Sequence, residues 1–574
     1  MQSELSHARS ASQAMSARNF SEVRDWLRTD GLSWIFALKA ALAAVLAAFI
    51  AMKLELPQPR TAIVTVFIVM RPHSGLVLAR ALYRISGTLV GVLMAMLLIA
   101  IFGQYPDLFI GSTALWIAIC TAGAARNRNT RAYGFVLAGY TAAIVGSASL
   151  QDPNTAFMIA STRIAEIAVG IVCSSAVSAL IFPVHAGDQV QEAIRIQSAA
   201  FLTYVAKTLP SSPAVYDVAA MHRQLVTSLT TFESLRVIAV LETHDMRMRA
   251  RRMKRLSAEL MRASTQYHVF LQLRDQLRAS EDCAALAAVN RCLGRVPKLL
   301  SHAIEPFPTY EAATLAAQRL DRFRKRLRHR VAREEQNLGA ATNTTSLNFS
   351  TVAEQLERFG SELSAYLHTY ASLSHATHER EKWVEPLVPK SDALIALASG
   401  ARAAVATMAL GAFWIATAWP SGGTAFAQGA AICALSSTAS DSSRLALQIA
   451  LGTLVGAVVG TFIVFGIYTR IDGFPLLALT LMVATIPGAF VMTRSKLAGY
   501  GIGYCVFLPV LAGPDNPQSF LPETYLNDAI ALVGAMFFAA VAQSVVLPVT
   551  STWFHRRLTA KLKRQIYEAY DAPL

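Results

Sequence analysis

The hydrophobic residues of this 574-residue chain fall in two blocks separated by a polar segment. One block runs from about Trp34 to Phe182 and the other from about Leu394 to Leu547, whereas the residues between them are rich in Arg, Glu and Gln. A bilayer core of about 30 Å needs roughly 20 apolar residues per helix, and both blocks are long enough for several such helices. The pattern therefore predicts a membrane, soluble, membrane layout.

Each block accommodates six membrane-spanning helices. The predicted spans start near Trp34, Thr61, Ser86, Leu108, Tyr133 and Ile164 in the first block, and near Leu394, Thr424, Leu445, Phe474, Leu497 and Asp528 in the second. The second and the eighth spans are shorter than a full membrane crossing. The sequence thus predicts an all-α polytopic membrane protein with 12 transmembrane helices.

An internal repeat relates the two blocks. A shift of 365 positions aligns Gly87-Thr-Leu-Val-Gly91 with Gly452-Thr-Leu-Val-Gly456, and Pro183-Val184 with Pro548-Val549. Both halves start on the same side of the membrane, so we expect two parallel six-helix repeats with a transport pathway at their interface. The four glycines of the aligned motif have the small-xxx-small spacing of closely packed helices, with a role in opening a pore as the alternative.

The layout divides the chain into five segments. These are a cytoplasmic N-terminal tail (1–32), membrane half 1 (33–184), a cytoplasmic helical domain (185–392), membrane half 2 (393–550) and a basic cytoplasmic C-terminal tail (551–574). Apolar residues at three and four spacing predict a helical bundle for the central domain. Its predicted helices are Gln189–Leu209, Val215–Leu241, Asp245–Leu277, Glu311–Gln336 and Thr351–Ser374.

Basic residues in short loops set the orientation, because Lys and Arg resist translocation. Nine of them, including Arg71, Arg80 and Arg84, fall on the same side as the N-terminus, and four, including Arg60 and Arg163, fall on the other side. This bias places both termini in the cytoplasm. The N-terminus lacks the features of a cleaved signal peptide, so we expect the first helix to act as an uncleaved signal.

Composition narrows the function classes. Hydrophobic residues make up 54% of the chain and charged residues 16%, well below the roughly 25% of a soluble domain. The net charge of +15 lies largely in loops and in the tail, so no nucleic-acid partner is required. The six cysteines form no CxxC pair, which argues against disulfides, metal sites and cofactors. No phosphate-binding loop and no recognisable catalytic constellation occurs, which disfavours ATP-driven transport and an enzyme.

Cations near or within the spans are candidates for binding an anionic substrate, because an ionised side chain at mid-bilayer costs about 2.5 to 3.5 kcal/mol. Lys39 and Arg402 occupy nearly matching positions of the two halves, with snorkelling to the interface as the alternative. Short or broken spans at corresponding positions also point to a transporter site. The candidates there are Arg71, His73, Ser436 and Ser437, with ordinary loop roles as the alternative.

Glu166 and Asp528 are the acidic residues closest to membrane depth. A desolvated carboxylate is suited to carry a coupling proton. The alternatives are an ion pair of Glu166 with Arg163 and a helix cap formed by Asp528. Tyr140, Tyr500 and Tyr504 are candidates for stacking on an aromatic ligand, or for ordinary packing.

The stretch Arg80-Ala-Leu-Tyr-Arg-Ile-Ser-Gly-Thr-Leu-Val-Gly91, its partial repeat in the second half and the overall layout resemble the fusaric acid resistance protein family. The resemblance implies export of small aromatic or hydrophobic carboxylic acids across a Gram-negative inner membrane, often with a periplasmic adaptor (membrane fusion) protein. In outline the chain is also similar to plant aluminium-activated malate channels.

We therefore expect a proton-coupled, adaptor-assisted efflux transporter for organic acids. The alternatives are an organic-anion channel and a membrane scaffold or sensor that transports nothing. The expected partners are a small organic anion, membrane lipid, the adaptor and, as one option, further copies of the chain. The basic run Arg319–Arg333 is a candidate for anionic lipid headgroups, with a solvated helix face as the alternative.

Overall fold

The structure is a computed structural model that describes residues 30–546 and a few residues between 556 and 564. The description has gaps at 72–73, 128–129, 151–152, 183–185, 210–224, 281, 295–309, 339–342, 376, 383–392 and 440, and at several positions between 226 and 243. The predicted site residue His73 lies outside the described residues, as does most of the C-terminal tail.

Throughout the described residues the regular structure is helical. The chain divides into two compact units, one formed by Met1–Val184 with Pro389–Leu574 and the other by His185–Val388. Within the described residues, nine helices are long and apolar enough to cross a membrane, and all nine lie in the first unit. The prediction of an all-α polytopic membrane protein is therefore confirmed, while the count of 12 spans stays a prediction.

The first half of the membrane unit contains six helices. They are α1 (Leu32–Lys53), α2 (Pro59–Val69), α3 (Ser74–Phe102), α4 (Pro106–Arg126), α5 (Thr130–Ser149) and α6 (Ala156–Leu180). The helix α2 is too short for a full crossing, as the sequence predicted. Pro59 occupies its first turn, where a missing N–H costs nothing.

The helices of the unit His185–Val388 and of the second half follow along the chain. The former are α7 (Ala186–Thr208), α8 (His244–Ala279), α9 (Cys283–Leu293), α10 (Tyr310–Asn337) and α11 (Asn343–Ser372). The latter are α12 (Ala393–Thr417), α13 (Gly422–Ser436), α14 (Ser442–Thr461), α15 (Phe474–Met492), α16 (Ala498–Ala512) and α17 (Pro522–Val545). The short α13 matches the prediction, whereas the shortness of α16 and the presence of α9 were not predicted.

Three membrane helices begin earlier than the apolar pattern predicted. Helix α3 begins at Ser74 instead of near Ser86, α6 at Ala156 and α17 at Pro522. A span predicted from apolar residues stops at the first charged residue. The helix itself continues, because arginine is a good helix former and other helices surround its side chain here. Arg80 and Arg84 are thus helix residues, not loop residues as predicted.

The bias of basic residues still favours the same orientation after this correction. Arg60 and Arg163, which were counted on the opposite side, also lie within helices, namely α2 and α6. Basic residues that remain in loops or at helix ends are still concentrated on the side of the N-terminus. Cytoplasmic termini stay a prediction.

The helix packing repeats between the two halves. Helix α3 packs along α5 as α14 packs along α16, and α2 packs on α6 as α13 packs on α17. Across the halves, α1 packs on α15 and α4 on α12, while α2 packs on α16 and α5 on α13. The short helices α2 and α13 therefore contact both halves and lie at their boundary.

The unit His185–Val388 is a helical bundle arranged around α11. Helices α8, α9 and α10 all pack on α11. Its interior includes the aromatic rings of Tyr267, Phe270 and Phe359, and the Tyr267 and Phe359 ring centroids are 4.8 Å apart. Four of the predicted helices are present, and most of the predicted segment Val215–Leu241 lies outside the described residues.

Candidate functional site

Close packing of α3 on α5 positions the candidate site. A Cβ atom added to Gly87 would lie 2.7 Å from the Gly134 carbonyl oxygen, and one added to Gly91 would lie 2.8 Å from Thr141 Cβ. Arg80 and Arg84 precede these glycines at helical spacing and share their face of α3. The glycine contact therefore brings both arginines against α5.

Arg84 is the most buried cation of this face, with 2% of its surface exposed. Its guanidinium donates a hydrogen bond to the Tyr140 hydroxyl of α5 and, from Nη2, to Thr65 Oγ1 of α2 at 3.3 Å. Both acceptors are neutral hydroxyl groups. Arg84 therefore keeps a full positive charge inside the membrane unit with only weak local compensation.

Two more arginines lie at the C-terminal end of α2. Arg80 Nη1 donates to the Ile68 carbonyl oxygen at 3.2 Å, and its guanidinium lies 5.2 Å from the centroid of the Tyr133 ring. Arg71 Nη1 donates to the Met70 carbonyl oxygen at 2.8 Å. The carbonyl groups at a helix C-terminus carry partial negative charge, which favours cations there.

We name these groups the arginine cluster: Arg71, Arg80, Arg84, Tyr133, Tyr140 and Thr65. Within the described residues, Arg71 and Arg80 interact electrostatically with each other and with Tyr133, and Arg84 interacts with Tyr133, Tyr140 and Arg163. Arg84 Nε is buried and has no hydrogen-bond partner among the described residues. The cluster therefore has surplus positive charge and a free donor, which suits a carboxylate anion.

Helix α2 is shorter than a membrane crossing. An 11-residue helix is about 16 Å long, roughly half of a hydrocarbon core of about 30 Å. Buried cations among the apolar helices of a membrane protein are a functional signal.

The second half has the same helix packing without the polar groups. The positions equivalent to Arg80, Arg84, Tyr133 and Tyr140 are Leu445, Ile449, Ala498 and Cys505. Ile449 and Cys505 are buried, and a Cβ atom added to Gly452 would lie 2.2 Å from the Tyr500 carbonyl oxygen. The repeat therefore preserves the glycine contact, and the arginine cluster is a property of the first half.

The predicted cations Lys39 and Arg402 are buried and lie in separate places. Lys39 Nζ donates to the Phe182 carbonyl oxygen after α6, and Arg402 Nη1 donates to the Gln543 carbonyl oxygen near the end of α17, both at 3.3 Å. Each cation thus contacts the end of the last helix of its own half, where the helix dipole favours positive charge. Their role in substrate binding stays a prediction.

The predicted hydroxyl donors are engaged within their own helix. Ser436 Oγ donates to the Cys433 carbonyl oxygen at 3.3 Å, and Ser437 Oγ donates to the Ala434 carbonyl oxygen at 2.7 Å. Within the described residues, no hydrogen bond joins Ser436 or Ser437 to Lys39. Of the predicted substrate residues, Arg71 is the one that belongs to the arginine cluster.

Glu166 is 2% exposed and lies at the opposite end of α2. Its Oε1 accepts a hydrogen bond from the Gln58 backbone N–H at 2.8 Å, and Thr61 supplies a side-chain hydrogen bond. Arg163 Nη1 donates to Thr61 Oγ1 at 2.9 Å, so Thr61 links the two charged residues. A carboxylate at this position also matches the positive end of the helix dipole.

A second acid lies near the same end of α2. Asp515, in the loop after α16, forms an ion pair with Arg60, whose Nε lies 3.0 Å from Asp515 Oδ1, and Arg60 Nη1 donates to the Val510 carbonyl oxygen at 3.2 Å. Burial raises the pKa of Asp515, and the charge of Arg60 opposes that rise. The other predicted acid, Asp528, is half-buried in the second turn of α17, so it does not cap the helix start.

The remaining tyrosine candidates have packing roles in the described structure. The Tyr504 hydroxyl donates to the Ala484 carbonyl oxygen at 2.9 Å, and the Tyr500 backbone lies against Gly452. Tyr140, by contrast, is part of the arginine cluster. No group of three or more His, Cys, Asp or Glu side chains able to hold a metal ion occurs within the described residues.

Sequence reasoning missed Arg80, Arg84, Tyr133 and Thr65 as site residues. The available signal was the spacing of Arg80 and Arg84 before the two glycines, which places all four residues on one helix face. The prediction of spans from apolar residues hid this spacing, because it placed each arginine outside the membrane helix.

Comparison with known proteins supports the assignment of a family. The sequence model of the fusaric acid resistance protein family matches residues 33–574. The chain is 38% identical to the fusaric acid resistance protein FusC of Burkholderia cepacia, over 60% of this chain and 99% of FusC.

Two further relatives match along most of the chain. The transporter YdhK of Escherichia coli (strain K12) is 25% identical over 95% of this chain and 78% of its own length. The p-hydroxybenzoic acid efflux pump subunit AaeB of Yersinia pestis (strain Pestoides F) is 24% identical over 94% of this chain and 79% of its own length. With a family match that covers nearly all of its length, the chain belongs to the fusaric acid resistance protein family.

Proposed function

We propose that the protein exports small aromatic carboxylic acids across a Gram-negative inner membrane and that the arginine cluster binds the substrate. The printed names of two relatives support this class, since one is a fusaric acid resistance protein and another a p-hydroxybenzoic acid efflux pump subunit. Membership in a family with such transporters also argues against an enzyme.

One observation carries the proposal. Three guanidinium groups meet at the end of a half-length helix, and their charged neighbours in the described chain include no carboxylate. A substrate carboxylate would supply the missing negative charge and accept hydrogen bonds from Arg84 and Arg80. The rings of Tyr133 and Tyr140 beside these cations provide faces and edges for an aromatic body.

The energy source in this proposal is the transmembrane proton gradient, with Glu166 and Asp528 as the proton-coupling residues. Burial of Glu166 among hydrogen-bond donors supports a functional role for this acid. The electrical potential also favours export, since an inside-negative membrane supplies about 2.3 kcal/mol per 100 mV for each negative charge that moves outward.

The orientation and the partners belong to the same proposal. Both termini and the unit His185–Val388 lie in the cytoplasm, and a periplasmic adaptor completes the export route. The bias of basic residues toward the side of the N-terminus supports this orientation. A reporter enzyme that is active only in the periplasm, when inserted in the loop 513–521, is therefore expected to show activity.

An efflux-deficient Gram-negative host tests the function. Cells that express the chain, with and without a co-expressed adaptor, are challenged with aromatic acids and with aliphatic acids of similar size. We expect increased tolerance of the aromatic acids alone, and its loss in a variant with Arg80→Leu and Arg84→Ile. These substitutions introduce the residues that the second half has in the same packing, so the fold is retained. Equal tolerance in the variant and in the wild type would contradict the proposal.

The same assay separates a transporter from an anion channel. Nigericin collapses the pH difference but leaves the electrical potential, so efflux of a labelled acid is measured before and after its addition. Loss of uphill export supports proton coupling. Efflux that persists and depends on the electrical potential alone would instead indicate that the protein is an anion channel.

A further inference from the structure

Helix α2 has a second polar cluster at its N-terminal end. It consists of Arg60, Thr61, Arg163, Glu166 and Asp515, and we name it the mixed-charge cluster. Its cations are accompanied by acids, since Arg60 pairs with Asp515 at 3.0 Å and Arg163 is joined to Glu166 through Thr61. The arginine cluster at the other end of α2 has no described acid.

The two clusters are linked along one face of α2. Thr61 and Thr65 are four residues apart, so their side chains are neighbours on that face, at about 5 to 6 Å between Cβ atoms. Thr61 Oγ1 accepts from Arg163 of α6, and Thr65 Oγ1 accepts from Arg84 of α3. Both threonines are buried, with 3% and 0% of their surfaces exposed.

Packing alone does not require these polar groups. In the equivalent helix α13 the positions of Thr61 and Thr65 are Phe426 and Ala430, and the position of Glu166 is Ala531 in α17. These three residues are buried, and α13 packs on α17 as α2 packs on α6. Because a buried polar network is seldom more stable than an apolar one, its presence along α2 points to a function.

We propose that the two clusters are successive binding stations for one carboxylate anion, and that Glu166 promotes release from the second station. This inference rests on the proposed function. The anion binds first at the arginine cluster, where no carboxylate competes for the guanidinium groups. It then moves about one helical turn along α2, from Thr65 to Thr61, to the mixed-charge cluster.

Competition explains why the second station releases the anion. Ionised Glu166 already occupies the Gln58 N–H and the Thr61 hydroxyl, and its charge offsets that of Arg163. A substrate carboxylate there meets like charge at short range and is held weakly. The route therefore follows α2, beside α3, α5 and α6, where α2 also contacts the second half.

Replacement of Glu166 by glutamine tests the release step. The amide oxygen of Gln still accepts from Gln58, whereas the competing charge is removed. The probe is 4-hydroxybenzoate, measured by equilibrium binding to the full-length protein in lipid nanodiscs and by efflux from proteoliposomes. We expect about tenfold tighter binding. This factor corresponds to the repulsion between two unit charges roughly 10 Å apart in an effective dielectric constant of about 20. Efflux slows by a similar factor, because tighter binding mainly reflects slower dissociation.

Glu523→Gln is the matched control, since Glu523 is an exposed acid in the first turn of α17, the helix of the second half that is equivalent to α6. It removes the same charge from the membrane unit without a change at α2, so binding and efflux should stay within about twofold of the wild type. Equal effects of Glu166→Gln and Glu523→Gln, or no effect of either, would overturn the inference.

A second variant keeps the test decisive if Glu166→Gln does not fold. Arg163→Gln should weaken 4-hydroxybenzoate binding by about tenfold, because it removes a positive charge that interacts with the same region as Glu166, and it should slow efflux. Arg163→Lys should restore both. Unchanged efflux in Arg163→Gln overturns the two-station route. The proposed function fails separately, when the wild type itself neither binds nor exports the probe.

Discussion

Replacement of Arg84 by isoleucine should weaken anion binding strongly without a loss of stability. Isoleucine is the equivalent residue of the second half, where Ile449 is 1% exposed against the same kind of helix contact. The substitution therefore fits the space between α3 and α5 and removes only the charge and its hydrogen bonds. These opposite effects on binding and stability distinguish a binding cation from a structural one.

The magnitudes follow from the partners of Arg84. A hydrogen bond to a charged group contributes about 1.5 to 3 kcal/mol, so loss of one bond to a substrate carboxylate weakens binding about 10- to 150-fold. Within the protein, the Tyr140 and Thr65 hydroxyls lose a partner, at a cost of about 1 to 3 kcal/mol. Removal of a buried cation without a carboxylate partner recovers several kcal/mol, so the net free energy of unfolding is unchanged or higher.

The assay combines 4-hydroxybenzoate binding in nanodiscs with thermal unfolding of the same samples. Arg444→Leu is the matched control, because it removes an arginine from α14, the helix of the second half that is equivalent to α3. An equal loss of affinity in both variants would assign the effect to total charge rather than to the arginine cluster. Unchanged affinity in Arg84→Ile, or a loss of affinity accompanied by a lower unfolding temperature, would refute the reasoning.

Two further predictions concern stability. Gly452→Ala should lower the free energy of unfolding by about 1 to 3 kcal/mol, because the new Cβ would lie 2.2 Å from a backbone carbonyl oxygen, whereas Gly456→Ala meets nothing closer than 3.6 Å; equal melting temperatures would contradict this. In the bundle, burial raises the pKa of Asp321, but hydrogen bonds from Ser364 and His368 outweigh it and leave the pKa below its ordinary value of 3.8. The resulting stabilisation is present above that value and lost as the pH falls through the folded-state pKa, so Asp321→Asn should flatten the decline in unfolding temperature between about pH 5 and pH 3.

The sequence by itself determined the class of the fold. Two long apolar blocks, each with several stretches of about 20 mostly apolar residues, indicate membrane-spanning helices. The shift that aligns Gly87 with Gly452 also revealed the repeat, and the structure shows the same helix pairs in both halves. The short lengths of α2 and α13 followed from the polar residues after them.

The tertiary structure alone decided where the charges lie. Arg80 and Arg84 have the sequence context of a cytoplasmic loop, and their burial became visible only when α3 was seen packed on α5 and α2. Lys39 and Arg402 looked like a matched pair, yet each contacts the last helix of its own half. The physical reason is that hydropathy records the cost of a charge in lipid, whereas the actual cost depends on the neighbours that packing supplies. Those neighbours come from helices distant in sequence, so no local pattern contains them.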